Sequence, residues 1–343
     1  MRANQLEQFL LATVPAKLPI LVTGKPGVGK TSIIEQVAAK LDADVILTHP
    51  AVSDPTDYKG LPWKLEGENT ATFLPFGDLK KALEATKLTL FFLDDLGQAP
   101  PSVQAALMQL ILAREVAGHK LPEHVAFVAA TNRREDRAGV SGLLEPVKSR
   151  FASIVELEAD IHSWIHWANQ SGVNPLVIAF LMFKPNLLHV FEASSDLTNS
   201  PSPRTWARVD KLSTLAEQHH WPLDMQLEAY TGAVGKGAAI EFLGFCEIWQ
   251  QLPDVHQVLL NPDTAPVPTT PAGLYGICGA LAAQVTQQTI GAMLRYTQRL
   301  PNEFAAFGIK SASQRQSIVT KTPAYIQWVT SDAGKEVFGL AAD

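Results

Sequence analysis

The sequence predicts an α/β domain built on a parallel sheet, followed by a part that is mainly helical. Short apolar runs at residues 19–23, 45–48, 88–93, 125–130 and 153–157 alternate with stretches of helical period at 32–41, 79–86 and 102–113. That alternation is what lays helices over both faces of a parallel sheet. The runs are short and nearly free of polar residues, so they read as strands buried on both faces. From Ile161 onward the strand-like runs stop, and the apolar spacing becomes helical over 164–170, 176–183, 206–219, 227–232 and 241–250.

Composition bounds what such a chain does. Its 343 residues suffice for about two domains at roughly 150 residues each. Charged residues make up 18%, below the roughly 25% of an average soluble domain, which leaves apolar surface for partners to cover. The net charge of -6 divides evenly, with 17 Lys+Arg against 20 Asp+Glu in residues 1–160 and 11 against 14 in 161–343. No basic half or stripe announces nucleic acid. No apolar run approaches the roughly 18 residues of a membrane span, and the first residues lack the continuous apolar stretch of a signal peptide. Two cysteines, Cys246 and Cys278, fit a reducing compartment, so a cytoplasmic location away from membranes is expected. His162 and His166 stand four apart without a carboxylate to complete a zinc site, beside Trp164 and Trp167, and read as packing residues.

The first run opens directly into Gly24-Lys25-Pro26-Gly27-Val28-Gly29-Lys30-Thr31, followed by a helical stretch from Ser32. The spacing is G-x-x-x-x-G-K-[ST] between strand and helix, the context in which it cradles phosphates. Glycines let successive N–H groups turn toward one point, and the helix N-terminus adds the positive end of its dipole. Lys30 then reaches the β- and γ-phosphates of a nucleotide, and the Thr31 hydroxyl ligates Mg²⁺. ATP and Mg²⁺ are the expected ligands, held by residues 24–32.

The run at 88–93 ends in Asp94-Asp95 at the same expected rim. Asp94 is placed to hold the Mg²⁺ shell and Asp95 to polarise the attacking water. The run at 125–130 ends in Thr131-Asn132, which puts an amide where it meets the γ-phosphate or the water. Arg133 and Arg134 follow, and read as a solvated pair, with a phosphate contact by one of them across an interface as the alternative. Residues 61–73 alternate around a glycine-centred turn and read as a β-hairpin, and residues 115–121 as a shorter one.

The order of these features resembles the AAA+ ATPases and, within them, the MoxR-like branch. The features are the phosphate loop, Asp94-Asp95, Asn132, then Leu143-Leu144-Glu145-Pro146-Val147-Lys148-Ser149-Arg150-Phe151, then Ser202-Pro203-Arg204. The stretches Gln98-Ala99-Pro100-Pro101-Ser102-Val103-Gln104-Ala105-Ala106-Leu107 and Asp54-Pro55-Thr56-Asp57-Tyr58-Lys59-Gly60-Leu61-Pro62 carry the narrower likeness. The resemblance covers roughly residues 1–250. It implies that Asn132 is the sensor 1 residue, Arg150 an arginine finger reaching a neighbouring subunit's nucleotide, and Arg204 the sensor 2 arginine of a helical lid. Otherwise, Arg150 caps a helix at the surface and Arg204 forms a salt bridge in its turn.

It further implies a ring, a hexamer in the family's usual form, that hydrolyses ATP to remodel a partner protein, one with a von Willebrand factor A domain. A nucleic-acid motor and an ATP-gated scaffold are the competing classes. The hairpin at about 61–75 corresponds to an insert that faces partners, through Trp63 and Phe73. The expected domains are 1–160 for the nucleotide-binding part, 161–260 for the lid, and 272–341 for a C-terminal helical extension beyond the four-proline loop at 261–271. One position departs from the family, since Asp95 stands where most relatives carry Glu. Its side chain is one methylene, about 1.5 Å, shorter. Either the backbone compensates or hydrolysis is slow.

Overall fold

The computed structural model describes residues 1–64, 67, 70–136, 142–191 and 198–338. They form two compact units, residues 1–159 with 191, and residues 160–190 with 198–338.

The first unit is the expected α/β P-loop fold. Five parallel strands, β1 (Ile20–Thr23), β2 (Asp44–Thr48), β5 (Thr89–Leu93), β8 (Val125–Thr131) and β9 (Ser153–Glu156), lie in the order β2-β5-β8-β1-β9. Alternate side chains serve opposite layers. Ile20, Val22, Leu90 and Phe92 pack with Leu6, Leu10 and Val14 around α1 (Ala3–Thr13), and with Ile34 and Val37 of α2 (Lys30–Lys40). Leu21, Phe91, Leu93 and Phe127 pack with Leu107 and Leu110 of α5 (Pro101–Ala113) and with Tyr58 of α3 (Pro55–Lys59).

The edge strands depart from the expectation of burial on both faces. β2 buries Ile46 in one layer and leaves Val45 and Leu47 exposed, and β9 buries Val155 in the other and leaves Ile154 exposed. An edge strand has a sheet neighbour on one side only, and here each is covered on a single face.

Two ribbons project from the sheet connections. β3 (Leu61–Lys64) pairs antiparallel with β4 (Ala71–Leu74), followed by α4 (Gly77–Leu83), and the two-residue strands β6 (Glu115–Val116) and β7 (His119–Lys120) form the second. Leu65, Glu66, Glu68 and Asn69 of the first ribbon's turn lie outside the described residues. The ribbons are joined, because His119 Nε2 lies 2.9 Å from the Phe73 carbonyl. The short helix α6 (Glu145–Lys148) precedes β9.

The second unit is helical. Its helices begin at caps, earlier than apolar periodicity alone indicates. Asp160 accepts from Ser163 N before α7 (Ile161–Gln170), and Asn174 accepts from Leu176 N before α8 (Pro175–Phe183). Ser202 and Thr205 form a capping box on α9 (Pro203–Gln218). An aromatic cluster fills the core, with Phe180 5.2 Å from both Trp206 and Phe242, and Tyr230 5.3 Å from Phe242. These residues come from α8, α9, α10 (Leu223–Val234) and α11 (Lys236–Gln250).

After α12 (Val255–Leu260), α13 (Pro271–Gln284) is buried almost along its length, against α8 and α15 (Asn302–Arg315). Two glycines permit the approach: a Cβ on Gly279 would lie 3.1 Å from Ala179 Cβ, and one on Gly308 would lie 3.1 Å from Cys278 Cβ. The unit is completed by α14 (Ile290–Thr297), α16 (Pro323–Thr330) and α17 (Asp332–Val337). Cys246 and Cys278 are free thiols, and burial pushes each up to about 12. No helix among the described residues is long and apolar enough to cross a membrane.

Candidate nucleotide site

The chain leaves β1 at Gly24, where a Cβ would lie 2.7 Å from the Leu157 carbonyl oxygen, so a larger residue would push the loop off the sheet. Gly27 and Gly29 hold φ of 75° and 106°, left-handed values that glycine adopts without strain. Gly29 caps α2, which begins at Lys30. Lys25, Pro26 and Gly27 are half-buried, Val28 packs into the core, and Ser32 is exposed on α2.

Lys30 is buried, and its ammonium donates to Gly24 O at 2.9 Å, Lys25 O at 3.2 Å and Asn132 Oδ1 at 2.8 Å. Thr31 Oγ1 donates to Asp94 Oδ2 at 2.9 Å, and Asp94 Oδ1 accepts the Asp95 N–H at 3.0 Å. The sheet explains the convergence: β1 and β5 both pair with β8, so Gly24, Asp94 and Asn132 emerge from the carboxyl ends of neighbouring parallel strands. Ligands bind at that rim of an open α/β sheet.

Asp95 turns the chain with φ 55°, a left-handed value that aspartate tolerates better than most residues. A 3₁₀ turn, Leu96–Gln98, follows. Gln98 Nε2 lies 3.5 Å from Asp95 Oδ1. The Gly97 N–H donates to Thr131 Oγ1 at 3.2 Å, and that hydroxyl donates to Asn132 O at 3.1 Å. Thr131 thus ties the turn after the acidic pair to the segment that carries Asn132. Sequence reading missed this link, although the position of Thr131 beside Asn132 at a strand end was its one visible signal.

Arg133 is not half of a solvated pair. It donates to both Asp136 oxygens, at 2.9 and 2.7 Å, and to Glu156 Oε1 at 2.9 Å, with Glu135 also 2.9 Å away. The hydrogen bonds from Arg133 hold the Asp136 carboxyl below the usual carboxylate range, and those to Asp136 and Glu156 hold Arg133 protonated. Arg134 is exposed.

Arg150 follows α6, half-buried. Its NH1 donates to Ser149 Oγ at 2.9 Å, its Nε is buried with no partner among the described residues, and none of its own unit's carboxylates pairs with it there. Arg204 lies in the second unit. It is exposed in the first turn of α9, where the dipole favours an anion over a cation, and it forms no ion pair among the described residues.

A Gly-rich loop, a buried lysine, a hydroxyl–carboxylate pair and an amide at one sheet rim define the class as a P-loop nucleotide-binding fold. Residues 19–151 match the family model of the AAA domain, dynein-related subfamily, which supports an AAA+ ATPase domain in the first unit. Among solved structures, the chain is similar to a mutant RuvB of Thermotoga maritima, at 13% identity over 82% of each chain with a TM-score of 0.45. It is also similar to NtrX of Brucella abortus in complex with ADP, at 15% identity over 99% of this chain and 68% of that one, with a TM-score of 0.41. No curated protein matches the sequence.

Proposed function

We propose that the protein is a Mg²⁺-dependent ATPase of the MoxR-like kind, working as a ring of copies, a hexamer in the form the resemblance implies, to remodel a partner protein. The observation that carries this reading is the meeting of Lys30, Thr31, Asp94 and Asn132 through hydrogen bonds of 2.8 and 2.9 Å at one rim. Lys30 exchanges neutral oxygen partners for the β- and γ-phosphates of ATP, while N–H groups of residues 24–31 surround them. The Thr31 hydroxyl and Asp94 carboxylate are hard oxygen donors already adjacent, a set that fits Mg²⁺. When bound there, Mg²⁺ neutralises charge on the phosphates. Asp95 orients the attacking water, and Asn132 fixes the γ-phosphate.

Arg150 finds no carboxylate in its own unit among the described residues and serves the nucleotide of the next copy, while Arg204 of the lid closes over the phosphates. In this reading residues 161–260 are the lid and 272–341 an extension packed with it. The first ribbon is the partner-facing insert, and a von Willebrand factor A domain is the proposed partner. Trp63 and Phe73 lie on opposite faces of that ribbon, since Trp63 pairs with Thr72 and Phe73 with Pro62.

The test is complementation. Arg150→Ala should bind ATP normally and lose about 10³-fold in turnover or more, the worth of an arginine finger. Asp95→Asn should bind ATP and fail to hydrolyse it. Mixed under demonstrated subunit exchange, the two inactive variants should regain turnover, because an intact Asp95 then faces an intact Arg150. A mixture as inactive as its components would remove the role of Arg150 in trans.

A further inference from the structure

Gln104 of α5 is 1% exposed, and a buried amide is costly unless its hydrogen bonds are made. Its three side-chain hydrogen bonds among the described residues all go to backbone. Nε2 donates to Ala99 O and to Gly142 O, each at 3.0 Å, and Oε1 accepts the Leu144 N–H at 3.0 Å. Two carbonyls and one N–H leave the amide a single satisfied orientation. Ala99 ends the turn that starts at Asp95. Gly142 and Leu144 lead into α6, beyond which stands Arg150.

Helix α6 spans four residues, and its N-cap Leu144 supplies no side-chain cap, so the segment is fixed from outside. Val147 and Phe151 pin it to the layer that contains α5, and Gln104 sets its height along that helix. The same turn is tied to the Asn132 segment through Gly97 and Thr131. A continuous set of hydrogen bonds thus connects the acidic pair's turn to the arginine's segment.

We propose that Gln104 is a positioning residue that sets where Arg150 stands according to the state of the acidic pair's turn, so that each copy's own site governs the arginine it offers to its neighbour. The proposal rests on the reading of Arg150 as acting in trans.

Gln104→Met keeps volume and removes all three bonds. Leu144→Pro removes only the Leu144 N–H, at a backbone φ of -60° that proline adopts, and leaves the core untouched. Each variant should bind ATP within about threefold of wild type and lose at least about tenfold in turnover. The decisive readout is which partner rescues it. Mixed with Asp95→Asn, which offers a correctly held arginine, either variant should regain turnover. Mixed with Arg150→Ala it should not, because its own arginine is misplaced.

Revival of Arg150→Ala by Gln104→Met as fully as by Asp95→Asn would overturn the proposal, as would wild-type turnover in the Gln104→Met protein. If Gln104→Met does not fold, Leu144→Pro is judged by the same two outcomes. Wild-type turnover in Arg150→Ala alone would instead end the reading of Arg150. An inactive Arg150→Ala that complements Asp95→Asn, beside a fully active Gln104→Met, would end only the role of Gln104.

Discussion

The rim of the sheet and the first ribbon break the ordinary rule of burial in opposite directions. At the rim Lys30, Asp94 and Asp136 are charged and buried. On the ribbon Leu61, Trp63 and Leu74 share one face, and are 46%, 61% and 44% exposed. Burying charge costs free energy unless hydrogen bonds satisfy it, and leaving apolar area in water forgoes its transfer energy. The ribbon therefore holds free energy back from folding, whereas the rim offsets its cost with hydrogen bonds. The difference lies in how each is completed. The rim already satisfies its groups with its own oxygens, so a ligand must replace partners one for one. The ribbon leaves this apolar face in water, and a partner that dries it gains the transfer energy.

The largest effect that would break this comparison is expected at Lys30. Lys30→Ala should weaken ATP binding by about 10- to 100-fold or more, since each hydrogen bond to a charged group is worth about 1.5–3 kcal/mol. Titration with a fluorescent ATP analogue measures it, and unchanged affinity would place the phosphates elsewhere.

Asp136 gives the next effect. Its carboxyl is held below its usual 3.8 by Arg133, so its contribution is complete above that value and is lost as pH falls through the lower folded value. Asp136→Asn should therefore cost on the order of 1–3 kcal/mol in chemical denaturation, with a constant gap from pH 7 to 5 that narrows only below about pH 4. A gap that already narrows near pH 6 would mean another group carries the charge.

The smallest effect on the isolated protein belongs to the ribbon. Replacing Trp63 and Phe73 with alanine should move the melting temperature by about 2 °C or less and basal ATPase by a few-fold at most, yet weaken partner engagement, as exposed aromatics anchor interfaces. A melting loss of about 10 °C would return these side chains to the core.

What the sequence made legible follows from how local each signal is. The phosphate loop needs only adjacent residues between a strand and a helix, and the central strands are continuous apolar runs, so both could be read directly. Edge strands β2 and β9 carry the same apolar letters as the central ones, and nothing local says that one face lacks a cover. At α1 the polar Gln5, Glu7 and Gln8 interrupt the spacing of Leu6, Leu10 and Val14, all buried, so the apolar period is weak locally. For Arg133, Glu135 and Asp136 stand two and three residues on and are local signals, while Glu156 comes from another strand and gives none. Gln104 sat within a recognisable stretch, but the carbonyl and N–H that explain it lie 38 and 40 residues away.

The bond from His119 to the Phe73 carbonyl has a chemical corollary. A carbonyl oxygen only accepts, so Nε2 must carry the proton. Neutral imidazole with that tautomer and the imidazolium cation make the same bond, and only the Nδ1 end differs between them. The joint between the two ribbons accordingly needs a proton on Nε2, and Nδ1 takes no part in it. A ring without that donor, as in His119→Phe, would remove the bond that joins the two ribbons.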